Sequence, residues 1–117
     1  KSNIDAMAIS VGNTHLQTSK KASIDFNKIN LIEAKTKIPL VLHGSSGIPV
    51  EQRKKLARKT KVAKLNIGTE IRMTFGEALR KNLKNNPKTY DRLQLLKPTI
   101  KDLTKVTKKI IKQIGPN

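Results

Sequence analysis

Ile38-Pro39-Leu40-Val41-Leu42-His43-Gly44-Ser45-Ser46-Gly47-Ile48-Pro49 is the stretch that decides the fold. An apolar run stops at a histidine, a turn of small residues follows, and Pro49 suits the first turn of a helix. The succession reads as strand, glycine-rich loop and helix start. The same order recurs on both sides of it. Upstream, Ala6-Met7-Ala8-Ile9-Ser10-Val11-Gly12-Asn13-Thr14 leads to His15, the chain's other histidine. Downstream, Val62-Ala63-Lys64-Leu65 runs into Asn66-Ile67-Gly68-Thr69.

Working outward, strands are predicted over 5–11, 38–42 and 62–67, each apolar enough to be buried on both faces of a parallel sheet. Helical patterns separate them. After a polar loop from Thr14 to Ser23, Asp25 can cap a helix in which Phe26, Ile29 and Ile32 recur at helical spacing. A second helix over 49–59 has a thin inner face of Val50, Leu56 and Ala57. A third starts at Gly68 or Thr69, carries Ile71, Phe75, Ala78, Leu79 and Leu83 on one stripe, and ends at Asn85-Asn86-Pro87. A polar link then leads to Pro98 and a last helix with Ile100, Leu103, Val106, Ile110 and Ile114 in phase, for which Gly115 can serve as the C-cap. Alternating βα segments give an α/β fold with a parallel sheet. Three such strands need helices on both faces or a closed barrel around them, so the chain is either a small three-layer protein or a slice of a larger barrel. A start at Lys1 without methionine, and an open sheet edge, favour the slice. No boundary or repeat divides the chain, and residues 1–117 are expected to form one partial domain.

The 117 residues include 25 basic and 8 acidic ones, giving a net charge of +17. Such an excess promotes nonspecific polyanion binding through counterion release. The basic residues are mostly lysine on predicted helix faces, and groups such as Arg53-Lys54-Lys55 read as solvated. Phe26, Phe75 and Tyr90 do not interleave with them into a base-stacking platform. Nucleic acid is therefore expected to bind only nonspecifically, and a basic binding module is the competing class. The absence of cysteine excludes disulfides and thiolate metal ligands and fits a cytoplasmic setting. No run approaches the ~20 apolar residues that span a bilayer, and no signal peptide is seen.

If the three strands are parallel, their C-terminal ends share one face, where His15 and His43 meet the two glycine-containing loops. A lone histidine at a strand end is ordinarily a satisfied polar residue; two on neighbouring strands can share one metal ion. Zinc in a catalytic site takes about three protein ligands and leaves a position open, so a third ligand must come from elsewhere. Gly44-Ser45-Ser46-Gly47 and Asn66-Ile67-Gly68-Thr69 let backbone amides approach an anion at helix starts. Either loop alone reads as a tight turn with a cap; together on one face they favour a phosphate site. Neither matches a Walker or dinucleotide pattern. Asp5, Glu51, Glu70, Glu77 and Asp91 are explained as surface or capping residues, and no general acid is readable.

The segments from Asp5 to His15, from Pro39 to Pro49, and from Lys64 to Glu70 resemble three ordered motifs of the class II, zinc-dependent fructose-bisphosphate and tagatose-bisphosphate aldolases. Tyr90-Asp91 and Leu95-Leu96-Lys97-Pro98 follow the same family. The resemblance implies the C-terminal portion of a (β/α)₈ TIM barrel, with its last three strands, their helices and a C-terminal helix. It also implies zinc held by His15 and His43, and dihydroxyacetone phosphate held by Gly44, Ser45, Ser46, Asn66, Ile67, Gly68 and Thr69. Asn66 would sit near the reacting oxygens, and Lys97 could reach a phosphate. The implied activity is reversible aldol cleavage of a ketose bisphosphate in glycolysis, with fructose-bisphosphate ahead of tagatose-bisphosphate, in a homodimer or larger assembly. Three departures stand out. Leu16 replaces a glycine associated with the phosphate or a monovalent cation. The tail reads Tyr90-Asp91-Arg92-Leu93 where the family has Tyr-Asp-Pro-Arg. The family's first zinc histidine and acid–base aspartate belong to an earlier barrel half, so the 117 residues alone are expected to be inactive.

Overall fold

The computed structural model describes residues 3–115. Strands β1 (Met7–Ile9), β2 (Leu40–Leu42) and β3 (Val62–Leu65) form one parallel sheet in the order β1-β2-β3. Met7, Ala8 and Ile9 pair with Leu40, Val41 and Leu42, and β2 pairs onward with β3 through an irregularity between Leu40 and Val41. The strands are shorter than the apolar runs. Full burial holds only on one face of the central strand, that of Leu40 and Leu42, while Val41 on the other face is half-buried. Ala8 on β1 and Ala63 and Lys64 on β3 are exposed.

Helices α1 (Phe26–Lys35), α2 (Val50–Lys59), α3 (Thr69–Asn85), α4 (Arg92–Leu96) and α5 (Thr99–Ile114) complete the chain, with a 3₁₀ turn at Ser45–Gly47. Asp25 caps α1 as the sequence predicts: its carboxylate accepts the Lys28 N–H at 2.9 Å. The α4 segment lies where the sequence suggests only a polar link. It is too short for a periodicity to register, and its signal is the cap, since Asp91 accepts the Leu93 and Gln94 N–H groups at 2.7 and 3.3 Å. Gly115 closes α5, donating to the Ile111 carbonyl.

The core lies between the sheet and its first two helices: Val11, Ala22, Ile24, Ile29, Leu40, Leu42, Ile48, Leu56 and Val62. Ile29, Leu40, Leu42, Ile48 and Leu56 lose all solvent contact, worth about 1.5–3 kcal/mol each in apolar burial. On α2, Leu56 is buried as predicted, but the other buried residue is Arg53, which the sequence reading places in solvent. The stripes of α3 and α5 are only partly covered. Ala78 and Ile110 are buried, whereas Phe75, Leu83 and Ile100 remain exposed. The reason is geometric: α3 packs against α5 and α4, α5 also packs against α2, and α3 does not pack closely on the sheet. Among the described residues no helix is long and apolar enough to cross a membrane.

Candidate active site

Parallel pairing carries the ends of all three strands to one edge of the sheet, and the loops that leave this edge build a cleft of about 410 Å³. His43 follows β2 directly, and His15 sits at the tip of the loop after β1. Their ring centroids are 5.6 Å apart with the rings tilted by 47°. Asn13 ties the two loops: its carbonyl accepts the Val11 N–H at 2.8 Å, and its amide donates to the His43 carbonyl at 3.0 Å. Gly44 makes this closeness feasible. It has φ +65°, and a β-carbon there would collide with the Thr14 carbonyl.

The ladder between β2 and β3 continues past the strands, with Asn66 N–H donating to Leu42 at 2.9 Å and Ser45 N–H donating to Asn66 at 3.2 Å. This extension delivers the Asn66 side chain to His43, its amide nitrogen lying 3.1 and 3.2 Å from the two ring nitrogens. Beyond it, Ile67, Gly68 and Thr69 lead into α3, whose first-turn amides have no intrahelical partner by virtue of position. One of them, from Glu70, donates to Ser46 Oγ at 3.2 Å, joining the two loops directly.

Of the residues singled out in the sequence, His15, Leu16, His43, Gly44, Ser46, Asn66, Ile67, Gly68 and Thr69 all line the cleft. Ser45 does not. It is fully buried beneath the turn, with its hydroxyl donating to the Leu42 carbonyl at 3.0 Å. Lys97 lies elsewhere, exposed at the end of α4 and outside the cleft lining. Leu16 is the one non-glycine residue with positive φ, at 58°, among the described residues. The backbone thus keeps the left-handed conformation that a glycine would favour, and the leucine there costs about 1–2 kcal/mol. Its side chain is 74% exposed and recovers little through packing.

Two residues essential to the site's construction were read from sequence as surface: Arg53 and Glu70. The Arg53 guanidinium, fully buried, donates to the Ser45 carbonyl at 3.0 Å, to the Ser46 carbonyl at 2.8 Å, and to Glu70 at 2.5 Å. Lys20, from the loop after β1, reaches the same Glu70 oxygen at 2.9 Å. Burial would raise the Glu70 pKa, but the hydrogen bonds from Lys20 and Arg53 and the charges of both cations outweigh it and hold the carboxyl below its ordinary 4.5. The available signal was spacing, since Arg53 lies one helical turn from Leu56 on the inner face of α2. A charge at such a position needs a buried partner. Arg72, on the first turns of α3, also lines the cleft, a position that its place in a lysine-rich sequence does not signal.

Zinc binds imidazole nitrogen at about 2.0–2.1 Å, and two tilted rings on adjoining loops are a compatible pair of ligands. Among the described residues no group of three or more His, Cys, Asp or Glu side chains converges. Among the described residues no carboxylate lines the cleft.

Comparison with known proteins identifies the family and the fold. The family of class-II fructose-bisphosphate aldolases matches residues 1–117. A 6-phospho-5-dehydro-2-deoxy-D-gluconate aldolase of Shouchella clausii is 35% identical over 115 residues, covering 98% of this chain and 39% of that protein. The enzyme of the same name from Bacillus licheniformis is 34% identical, covering 96% of this chain and 38% of its own length. Among solved structures, the YdjI aldolase of Escherichia coli K12 superposes with a TM-score of 0.71 at 27% identity, covering 95% of this chain and 39% of that one. A putative fructose-1,6-bisphosphate aldolase of Coccidioides immitis gives 0.73 at 20% identity over 95% of this chain and 38% of its own, a likeness of fold. The chain spans about two-fifths of the length of these relatives. Its three strands and their helices are thus a C-terminal portion of the aldolase barrel, and the chain belongs to the class-II fructose-bisphosphate aldolase family.

Proposed function

We propose that this chain forms the metal and phosphate side of an aldolase active site that cleaves a phosphorylated ketose reversibly. The observation that carries the reading is the convergence of His15 and His43, ring centroids 5.6 Å apart, beside the loops at Ser46 and at Gly68 and Thr69. His15 and His43 would hold zinc, which supplies Lewis acidity toward the substrate's ketone and enediolate oxygens. The chain's own residues do the rest of the positioning. Asn66, held beside His43, offers its amide to those same oxygens, and the amides at the start of α3, with Ser46 and Thr69, receive the phosphate.

In the cleavage direction the carbinol hydroxyl loses its proton and the bond between that carbon and the ketone's α-carbon breaks. The electron pair remains as the enediolate, which is then protonated. No described residue lining the cleft offers a carboxylate for these transfers.

Substrate identity follows from bond chemistry. A ketose 1,6-bisphosphate and 6-phospho-5-dehydro-2-deoxygluconate both contain a three-carbon hydroxyketone phosphate, and retro-aldol cleavage of either releases it as dihydroxyacetone phosphate. A site made of metal ligands and a phosphate cradle meets only that shared half. The family resemblance points to fructose-bisphosphate, with tagatose-bisphosphate beside it, whereas both curated relatives are named for the deoxygluconate compound. We assign the shared half to this chain and leave the aldehyde half to groups beyond its cleft. A cytoplasmic homo-oligomer is the matching setting.

The test is metal content and aldol cleavage in the protein at its natural length. Zinc uptake near one equivalent is expected, with His15→Ala or His43→Ala abolishing it and lowering cleavage on the order of 10³-fold, since Lewis-acid stabilisation is worth several kcal/mol. Undiminished zinc binding in both variants would sink the reading.

A further inference from the structure

The two arginines near the cleft have opposite situations. Arg53 is fully buried and bound to two carbonyls and a carboxylate, so its charge is already balanced. Arg72 is exposed, lines the cleft, and makes no ion pair with any carboxylate among the described residues. Among the described residues it is also the one lysine or arginine in the cleft lining. Its location is fixed by its neighbour. The Arg72 guanidinium lies across Gly68, with Nη2 only 3.3 Å and Cζ 3.6 Å from where a β-carbon of that residue would stand. A β-carbon at this position would press on the planar cation, which would have to give by a few tenths of an ångström.

Resting on the reading above, we propose that Arg72 is a phosphate ligand of this site and the residue that selects a phosphorylated ketose over its unphosphorylated counterpart. A phosphate monoester carries close to two negative charges at neutral pH, while a helix N-terminus offers about half a positive charge. The neutral donors of the cleft, Ser46, Asn66 and Thr69, leave most of that charge uncompensated. A guanidinium beside them supplies a full charge and a planar fork matched to two phosphate oxygens. Because the phosphate is unchanged during cleavage, this contact contributes uniformly to ground and transition states, and its loss appears in KM.

The experiment compares wild type, Arg72→Met, Arg72→Lys and Gly68→Ala at natural length. It measures kcat/KM for a ketose phosphate and for the matching unphosphorylated ketose, together with inhibition by inorganic phosphate. In Arg72→Met the ratio of the two kcat/KM values should fall about 30-fold, carried by KM, with phosphate inhibition weakened in parallel. Arg72→Lys should recover part of the ratio. Gly68→Ala, which leaves the arginine in place but crowds its guanidinium, should lower the ratio about 3-fold through the same KM change. An Arg72→Met protein with the wild-type ratio and wild-type phosphate inhibition would overturn the assignment. If wild type itself neither prefers the phosphorylated ketose nor is inhibited by phosphate, the proposed function fails, and Arg72 fails with it as a ligand.

Discussion

The loop after β1 and the loop after β2 each deliver one histidine to the cleft, yet they are built in contrasting ways. The first runs from Ser10 to Ile24 and is exposed through most of its tip, with Leu16 in a left-handed conformation that leucine tolerates poorly. It is held at a few points: by Asn13 on the His43 carbonyl, by Lys20 on Glu70 at 2.9 Å, by Ala22 N–H on the Gly47 carbonyl at 3.0 Å, and by Ile24 N–H on Gln52 at 3.1 Å. The second is short and buried from Ser45 to Ile48, and Arg53 grips its carbonyls from below. One imidazole therefore rides on an exposed loop pinned at a few points, the other on a loop fixed along its length. The difference teaches that the Ser45–Ile48 side of the cleft is fixed by buried contacts, while the position of His15 depends on a few anchor points.

The largest way to break this contrast is to remove the grip. Arg53→Met should destabilise the fold by about 3 kcal/mol, read as a lowered denaturant midpoint. It strands the Ser45 and Ser46 carbonyls and strips Glu70 of its buried partner. Phosphate binding should weaken along with stability, because the turn loses its fixed shape. A midpoint within error of wild type would show that the buried guanidinium is not what makes the second loop rigid.

A smaller effect should appear with acid. Glu70 has its folded-state pKa below 4.5, so its contribution is fully present above that value and is lost as pH falls through the depressed one. Glu70→Gln should flatten the acid limb of the stability curve and lower stability at pH 7 by about 1 kcal/mol. Unfolding followed from pH 7 to pH 3 in both proteins checks this; parallel curves would remove Glu70 from the account of the second loop. The smallest change sharpens the first loop instead. Leu16→Gly should relieve the left-handed strain and, after the added freedom of the unfolded chain, raise stability by about 0.5 kcal/mol. Thermal melting of the pair, with zinc affinity alongside, would show whether His15 gains order; a lowered melting temperature would contradict the strain.

Much of this contrast was open to view in the residues. His43, Gly44 and the small residues after them announced a tight, backbone-rich turn, and Asp25 and Pro49 marked helix starts that the structure contains. Arg53 was hidden because a basic triplet, Arg53-Lys54-Lys55, looks like solvent-facing charge, and only Arg53 of the three turns fully inward. Glu70 was hidden for the complementary reason, since its partners Lys20 and Arg53 come from distant parts of the chain. The exposed Phe75 and Leu83 show the limit of reading a stripe as a core. A helical period says which residues share a face, and tertiary packing says whether anything covers it.

What the sequence determined by itself was local and periodic: three apolar runs ending at one kind of turn, helices between them, and two imidazoles at matching positions. Backbone sterics and side-chain periodicity act over a few residues, so a single chain displays them directly. What only the tertiary structure decided was which charges are internal, which loop is gripped, and that Arg72 faces the cleft while Lys97 does not. Those outcomes depend on desolvation and on contacts between segments far apart in the chain, quantities that come into being only when the elements pack.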